Sequence, residues 1–301
     1  MMGVTVRRLW IALLAAALIA GTSLAHSGAQ DGDQAHVSAR ADRFIFTKWD
    51  GPDLPVWYQL PDEVTPETPV VFIMHGVNRD ADRYRDEWAD LARRRGLIVV
   101  VPQFSKTEFP GSLGYNTGYF SYPDGTSRKR ALWSFAAIEP LFDDVRRRFG
   151  SDARRYSIYG HSAGAQFVHR YIMFMPEARI ERAIAANAGW YTMPDLNAAF
   201  TYGLAGTPVD AEGLEAALAK PLTIMLGTAD IDPAALNLRK TPEAEAQGPH
   251  RLARGLQFFA LAQQSAFERR TPLAWTLVTV PGIGHSNAGM AEAAAALIAG
   301  E

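Results

Sequence analysis

The chain has 301 residues, of which 48% are apolar, and it carries a formal net charge of −2 with no cysteine. This composition provides enough apolar residues for a large core and excludes disulfide bonds, thiolate metal sites and a cysteine nucleophile. The near-neutral charge, without a basic stripe along the chain, argues against nucleic acid as a partner.

The N-terminal region has the pattern of a secretory signal peptide. Arg7 and Arg8 precede an apolar run over residues 9–20, and Ala25 ends a small-residue cleavage motif. The apolar run is shorter than the roughly 20 residues of a typical membrane span, so we expect cleavage after Ala25 rather than an uncleaved anchor. The protein is therefore expected to be secreted or periplasmic, with no stable membrane partner beyond the export machinery.

The rest of the chain divides into a polar leader and one folded domain. After the signal peptide (residues 1–25), the small polar residues 26–41 predict a disordered leader. Residues 42–301 form the folded domain, which begins with a strand pair over 44–47 and 54–60. A buried strand over 70–74, a helix over 83–95 and a buried strand over 97–102 follow.

A long loop rich in aromatic residues, over 103–130, separates this part from the second half. A loop of that length in a compact domain is usually functional, and we expect it to lie over a site. The predicted elements that follow are a helix over 131–149, a strand over 156–159, a helix over 165–173, strands over 180–186 and 222–227, a helix over 250–268, a strand over 275–280 and a helix over 290–299. Strands that alternate with helices predict an α/β fold, with a mostly parallel central sheet and helices on both faces.

The most informative stretch is the sequence Gly-His-Ser-Ala-Gly over residues 160–164. It lies between a predicted strand and a predicted helix, so Ser162 falls at the apex of a sharp turn that lifts its hydroxyl out of the sheet. Side chains at Gly160 and Gly164 would collide with the neighbouring elements. The alternative is a glycine-rich turn whose serine merely caps the helix.

An acid and a histidine that follow Ser162 favour the catalytic interpretation. Asp230 comes after the strand over 222–227, and His285 comes after the last strand. Ligands of parallel sheets bind beyond the carboxyl ends of the strands, where all three residues are predicted to lie. A serine hydroxyl needs an imidazole to accept its proton, and the imidazole needs a carboxylate to orient it. We therefore predict a triad of Ser162, His285 and Asp230, with Asp232 and Asp195 as rival acids.

The order Ser, Asp, His and the motifs around it resemble those of the α/β-hydrolase superfamily over the whole of the predicted folded domain. The shared motifs are His75-Gly76 after the strand over 70–74, the serine turn over 160–164, Gly227 to Asp230, and Gly284-His285. Within the superfamily the chain is similar to secreted serine esterases of the polyhydroxyalkanoate depolymerase and feruloyl esterase type. The resemblance implies an oxyanion hole formed by the backbone N–H groups of Ala163 and Val77.

Several residues at the strand ends are candidates for the substrate pocket. They are His75, Gly76, Asn187, Trp190 and Tyr191. Aromatic residues of the long loop either face an apolar or aromatic acyl chain or attach the loop to the core. Residues 236–251 have no obvious core role. Arg251 and Arg254, at the start of the following helix, either brace loops through carboxylates, which we favour, or bind an acidic substrate group.

No cofactor and no metal are expected. The histidines are not spaced as a metal pair, and no nucleotide-binding glycine motif occurs. The sequence thus predicts an exported serine hydrolase that cleaves a small-molecule or polymeric carboxylic ester through an acyl-enzyme on Ser162. The alternatives are a serine peptidase or amidase of the same fold, and a non-catalytic binding protein on a hydrolase fold.

Overall fold

The computed structural model describes residues 40–301. The predicted signal peptide and residues 26–39 of the predicted leader lie outside the described residues. Ala41, the last residue of the predicted leader, already opens the first strand, where it pairs with Gln59. Strand β1 therefore begins one residue before the predicted start of the folded domain, because Ala41 pairs with β2.

The described chain forms an eight-stranded sheet with the strand order β1-β2-β4-β3-β5-β6-β7-β8. The strands are β1 (Ala41–Phe46), β2 (Leu54–Gln59), β3 (Val70–Met74), β4 (Ile98–Pro102), β5 (Tyr156–His161), β6 (Ile180–Ala186), β7 (Leu222–Gly227) and β8 (Trp275–Val280). β2 runs antiparallel to both β1 and β4, and the remaining neighbours are parallel. The sheet thus confirms the predicted mostly parallel α/β fold.

Helices cover both faces of the sheet. They are α1 (Ala81–Arg95), α2 (Gly111–Gly114), α3 (Ile138–Phe149), α4 (Ala163–Phe174), α5 (Ala211–Leu218), α6 (Pro242–Ala246), α7 (Arg251–Arg269) and α8 (Asn287–Ala299). α1 and α8 bury their apolar residues on one face, and α3, α4, α5 and α7 bury theirs on the other. Strand β3 shows why both faces are needed, because Val70, Phe72 and Met74 enter one core while Val71 and Ile73 enter the other.

The predicted helix over 131–149 is shorter than expected. Two 3₁₀ turns, Arg130–Leu132 and Ser134–Ala137, precede α3, which begins at Ile138. Pro140 is tolerated only in the first turn of a helix, because it lacks an N–H and its ring clashes with the preceding turn. Ser134 also donates its backbone N–H to the carbonyl of Gly118 at 2.9 Å, so contacts to the long loop replace helical hydrogen bonds.

Three helices occur where no regular element was predicted. α2 lies within the long loop, α5 in the segment before β7, and α6 in the polar segment after Asp230. The last two carry recognisable start signals, since Asp210 and Thr241 accept hydrogen bonds from backbone N–H groups three residues on. Over residues 40–301, no helix is both long and apolar enough to cross a membrane.

Candidate active site

The turn between β5 and α4 has the geometry that the sequence predicts. Ser162 adopts φ 59° and ψ −114°, a strained conformation that a non-glycine residue rarely adopts. A Cβ on Gly160 would lie 2.2 Å from the carbonyl oxygen of Gly164, and one on Gly164 would lie 1.9 Å from the carbonyl oxygen of Met74. The two glycines are therefore required by the close approach of three backbone segments.

Ser162, His285 and Asp230 form one hydrogen-bonded chain. His285 Nε2 lies 3.0 Å from Ser162 Oγ, and His285 Nδ1 lies 2.8 Å from Asp230 Oδ2. The carboxylate can only accept, so Nδ1 carries the proton and Nε2 is free to accept the serine proton. The three residues follow β5, β8 and β7, whose carboxyl ends lie at the same edge of the sheet.

The carboxylates of the two rival acids, Asp232 and Asp195, accept backbone N–H groups of nearby turns. Asp232 is exposed, and its carboxylate accepts the backbone N–H of Ala234 at 2.8 Å, so it caps a turn. Asp195 likewise accepts the N–H of Asn197 at 2.8 Å. Of the three candidates, Asp230 is the one whose carboxylate contacts His285.

A buried arginine holds the second oxygen of the Asp230 carboxylate. Arg251 Nη1 lies 3.3 Å from Asp230 Oδ1, and both side chains are 3% exposed. The prediction that Arg251 braces a loop through a carboxylate is thus confirmed. Arg254 also braces loops, but through the carbonyl groups of Gly248 and Gly189 rather than through a carboxylate.

The two N–H groups predicted for the oxyanion hole belong to residues that lie beside Ser162. Val77 and Ala163 both line the same cleft as the serine hydroxyl. Within residues 40–301, neither backbone N–H donates a hydrogen bond to another protein group. Gly76 lies at the entrance of a second cleft next to Val77.

His75 does not reach the pocket. It is fully buried, its Nε2 accepts the backbone N–H of Phe104 at 3.1 Å, and its Nδ1 donates to the carbonyl of Gly76 at 3.1 Å. Burial, aided by the nearby Arg79 guanidinium, lowers the pKa of His75 to about 3. His75 is therefore a neutral cross-link between the loops after β3 and β4, and its placement in the substrate pocket is corrected.

Asn187 and Tyr191 are also displaced from the predicted pocket. The Asn187 side chain donates to the carbonyl of Gly284 at 3.0 Å and accepts the N–H of Gly227 at 2.8 Å, so it joins two loops. The ring of Tyr191 is fully buried and stacks on Phe258 at 4.5 Å. The chain bends at Gly189 and Trp190, so that Trp190 lines the cleft while the ring of Tyr191 enters the core.

The main cleft has a volume of about 440 Å³ and opens directly onto Ser162. Its walls come from the loop after β3, the long loop over 103–130, α4, the segment after β6 and the polar segment after Asp230. The lining residues are Val77, Arg79, Lys106, Gly111, Ser112, Tyr115, Asn116, Ser162, Ala163, Gln166, Gly189, Trp190, Leu236, Asn237, Leu238 and Arg239. Sequence reasoning missed Asn116 and Gln166, and it gave no role to residues 236–239.

The charges of the main cleft are all of one sign. Arg79, Lys106 and Arg239 line it, and no aspartate or glutamate does. Arg79 is buried and donates to the carbonyl groups of three residues of the long loop, whereas Lys106 is exposed. Arg239 lies over the ring of Trp190 at 4.3 Å. The cleft therefore presents a positive surface to a ligand at Ser162.

The aromatic residues of the long loop mostly attach it to the core. Phe104, Phe109 and Phe120 are buried, and Tyr122 is exposed away from the cleft. Tyr115 is the one loop aromatic that lines the cleft. Of the two interpretations left open by the sequence, attachment to the core therefore applies to most of these rings.

A second cleft of about 260 Å³ lies on the other side of Ser162 and His285 and carries both signs of charge. Asp80, Arg83 and Glu87 line it, together with His161. Within residues 40–301, no group of three or more histidine, aspartate or glutamate side chains is placed to hold a metal ion.

The chain is similar to several solved structures. It matches poly(aspartic acid) hydrolase-1 from Sphingomonas sp. KT-1 with 51% identity and a TM-score of 0.84, over 86% of this chain and 98% of that one. It matches LpqC, a poly(3-hydroxybutyrate) depolymerase from Bordetella parapertussis, with 36% identity and a TM-score of 0.80, over 85% of this chain and 89% of that one. No protein-family model and no curated protein matches the chain.

A more distant likeness concerns the fold alone. A ferulic acid esterase shares 15% identity and a TM-score of 0.52 with the chain, over 87% of this chain and 98% of that one. The two nearer relatives exceed 30% identity over most of their length, and they are hydrolytic enzymes of the same architecture. The chain therefore belongs to the α/β-hydrolase superfamily and is an enzyme of the ester hydrolase type.

Proposed function

We propose that the protein is a serine hydrolase that cleaves a carboxylate-bearing polymer, such as poly(aspartic acid), through an acyl-enzyme on Ser162. The chemical part of the proposal is supported by the hydrogen bonds of 3.0 Å and 2.8 Å that join Ser162, His285 and Asp230. The choice of substrate is carried by one observation, the cationic main cleft.

Catalysis proceeds in two acyl transfers. Ser162 Oγ attacks the scissile carbonyl carbon while His285 Nε2 accepts the hydroxyl proton, and Asp230 stabilises the imidazolium. The tetrahedral intermediate collapses as His285 gives this proton to the leaving alcohol or amine. A water molecule then attacks the acyl-enzyme, again with His285 as the base, and the acid product leaves with Ser162 regenerated.

The oxyanion of each intermediate is held by the backbone N–H groups of Val77 and Ala163. Both residues lie beside Ser162, and neither N–H has another acceptor within residues 40–301. Donors fixed in this way lower the barrier by about 3 kcal/mol each, because they stabilise charge that develops in the transition state. The positive end of α4, which begins at Ala163, points to the same place.

The proposed substrate is supported by the charges of the main cleft and by one of the two relatives. Poly(aspartic acid) has one carboxylate per unit and amide links, whereas poly(3-hydroxybutyrate) is uncharged and ester-linked. The cations Arg79, Lys106 and Arg239, without a carboxylate among the lining residues, match the charged polymer. The relative with 51% identity is a poly(aspartic acid) hydrolase. The same acyl-enzyme chemistry serves esters and amides, so small esters remain suitable reporter substrates.

The test compares polymer hydrolysis by the wild type, Ser162→Ala and Asp230→Asn, with Asp232→Asn as the matched control. New end groups are counted after incubation with poly(aspartic acid) at low and high salt. We expect Ser162→Ala to lose at least about a thousandfold in activity, and Asp232→Asn to keep it. A folded wild-type protein without activity on this polymer would refute the substrate proposal. Wild-type activity in Ser162→Ala would refute the mechanism.

A neutral polyester is the second candidate. Leu236 and Val77 line the main cleft with exposed apolar side chains, which an uncharged acyl chain could cover. Oligomers of 3-hydroxybutyrate in the same assay decide between the two candidates. Faster hydrolysis of these oligomers than of poly(aspartic acid), independent of salt, would favour the polyester.

We also propose that the protein acts outside the cytoplasm. The proposal is supported by the charge and apolar pattern of residues 1–25, which resembles a signal peptide. Mass spectrometry of the protein from fractionated cells tests it. A chain in the periplasm or medium that begins at His26 is expected, and an intact N-terminus in the cytoplasm would contradict the proposal.

A further inference from the structure

The side-chain amide of Gln166 lies on the wall of the main cleft with one end fixed and the other free. Its Oε1 accepts a hydrogen bond from Asn116 Nδ2 at 2.5 Å. This bond assigns the Nε2 group to the opposite end, and within residues 40–301 Nε2 donates to no protein group. Gln166 is 6% exposed, and it is one of the residues that line the main cleft. Because Gln166 Nε2 faces the cleft and has no protein acceptor, it is available to water or to an acceptor oxygen of a ligand.

Gly189 leaves this amide uncovered. A Cβ on Gly189 would lie 3.2 Å from Gln166 Nε2, closer than side chains normally approach. Gly189 itself lines the main cleft, next to Trp190. The missing side chain thus keeps a space in front of the N–H group that an oxygen atom of a ligand can occupy.

Arg170 fixes the frame around this space. Its fully buried Nη1 donates to the backbone carbonyl groups of Asn116 at 3.0 Å and of Gln166 at 2.9 Å. Its Nε donates to Thr192 Oγ1 at 2.7 Å, and its guanidinium lies 4.1 Å from the centre of the Trp190 ring. Arg170 therefore positions three walls of the cleft through its contacts with a hydroxyl, two carbonyl groups and an aromatic ring.

We propose that Gln166, oriented by Asn116, is the donor site for a carboxylate or carbonyl oxygen of the acyl chain, and that it sets acyl specificity. Gln166 lies in the first turn of α4, directly after Ser162, and its backbone N–H donates to the carbonyl of Ser162 at 3.1 Å. In an aspartyl unit, the free carboxylate oxygen lies four bonds from the scissile carbonyl carbon in both the α-linked and the β-linked polymer. Ser162 and Gln166 both line the main cleft, so an acyl chain on Ser162 lies in the cleft that the Gln166 amide faces.

This inference rests on the proposed function and deepens it, because it names the group that recognises the unit next to the scissile bond. Long-range attraction by the cleft cations requires only charge on the polymer. The Gln166 site instead requires an acceptor oxygen at one position, and it accepts an uncharged carbonyl as well as a carboxylate.

Three small esters with a common four-carbon acyl chain separate these effects. Methyl butyrate has no acceptor at the chain end, monomethyl succinate has a carboxylate there, and methyl succinamate has a neutral amide. Rates are followed by pH-stat titration and by nuclear magnetic resonance of the products. The readout is the ratio of kcat/KM for each of the last two esters to that for methyl butyrate, which cancels general losses of activity.

The wild type is expected to prefer both acceptor-bearing esters by about tenfold or more, as a hydrogen bond to a charged or carbonyl oxygen provides. Gln166→Leu is expected to bring both ratios close to one. Gln166→Glu turns a donor into a charged acceptor, so it is expected to reject the succinate ester and retain the succinamate ester. Asn116→Asp removes the N–H that orients Gln166, and it is expected to reduce both ratios.

Gln263→Leu, on the exposed side of α7, is the matched control and is expected to keep the wild-type ratios. Circular dichroism confirms that each variant is folded. Wild-type ratios in Gln166→Leu would overturn the inference and leave the proposed function standing, since the cations would then explain the preference for the charged succinate ester. The proposed function fails, by contrast, if the wild-type protein shows no Ser162-dependent hydrolysis of poly(aspartic acid).

Discussion

His169 gives the clearest link between this structure and a pH-dependent stability. It is fully buried, its Nδ1 donates to the carbonyl of Ala165 at 2.9 Å, and its Nε2 accepts the backbone N–H of Thr192 at 3.2 Å. Only the neutral imidazole can make both bonds, because a protonated ring has no acceptor. Burial, together with the neighbouring Arg170, lowers the pKa of His169 well below its usual value of 6.5.

The sign and size of the effect follow from proton linkage. The unfolded chain binds a proton at His169 as the pH falls through 6.5, whereas the folded chain stays neutral. The unfolded state therefore gains stability on acidification, and the free energy of unfolding decreases from about pH 7 downwards until the folded pKa is reached. Between pH 7 and pH 5, one such histidine lowers the free energy of unfolding by about 2 kcal/mol. His75 lowers the free energy of unfolding by a similar amount between pH 7 and pH 5, because its pKa of about 3 in the folded protein lies below that pH interval.

Urea unfolding at pH 7 and pH 5 measures the effect in the wild type and in His169→Gln. The glutamine amide can donate and accept like the neutral imidazole, but it does not titrate. We expect the variant to lose about 2 kcal/mol less than the wild type between the two pH values, whatever its stability at pH 7. Other titrating groups are common to both proteins and cancel in this difference. An identical pH dependence in the two proteins would refute the reasoning.

Three further substitutions test other parts of the site. Arg251→Met leaves the buried Asp230 carboxylate without its second partner, so urea unfolding is expected to show a loss of about 3 kcal/mol, and an unchanged midpoint would contradict this role. Lys106→Glu reverses an exposed charge of the main cleft and is expected to raise KM for poly(aspartic acid) about fivefold at low salt, with the effect vanishing in 1 M salt. If KM rises equally for a neutral ester, charge is not the cause. Gly164→Ala places a Cβ 1.9 Å from the carbonyl oxygen of Met74 and is expected to destabilise the protein by at least about 3 kcal/mol, measured by thermal unfolding.

The triad geometry could be predicted because of a general property of parallel sheets. Residues that directly follow parallel strands meet at one edge, so Ser162, Asp230 and His285 could be brought together without any knowledge of distances. The choice of Asp230 over Asp232 came from the resemblance to the α/β-hydrolase superfamily, because Asp230 matches that family's spacing of the acid from the strand-end glycine Gly227. The structure adds a physical reason, because Asp230 lies between Arg251 and His285.

The walls of the cleft could not be predicted in the same way. Gln166 and Arg170 lie in α4, which is buried along its whole length, and their positions look like core positions in a periodicity analysis. Their roles depend on the loop residue Asn116, which is 50 residues away from Gln166 in the sequence. Trp190 and Tyr191 are adjacent aromatic residues in a bent segment after β6, where no periodic pattern indicates which of them faces the cleft.

The side chain of Asn187 has a consequence for how this active site can be altered. Its two hydrogen bonds fasten the end of β7, which leads to the acid of the triad, to the turn before His285. Direct hydrogen bonds from the backbone N–H groups of Thr228 and Ala229 to the carbonyl groups of Val280 and Ile283 join the same two loops, so the loop after β7 and the loop after β8 behave as one mechanical part. Loop exchange between relatives therefore has to transfer both loops together with the residue at position 187, since a graft of one alone separates the donor and acceptor that Asn187 joins.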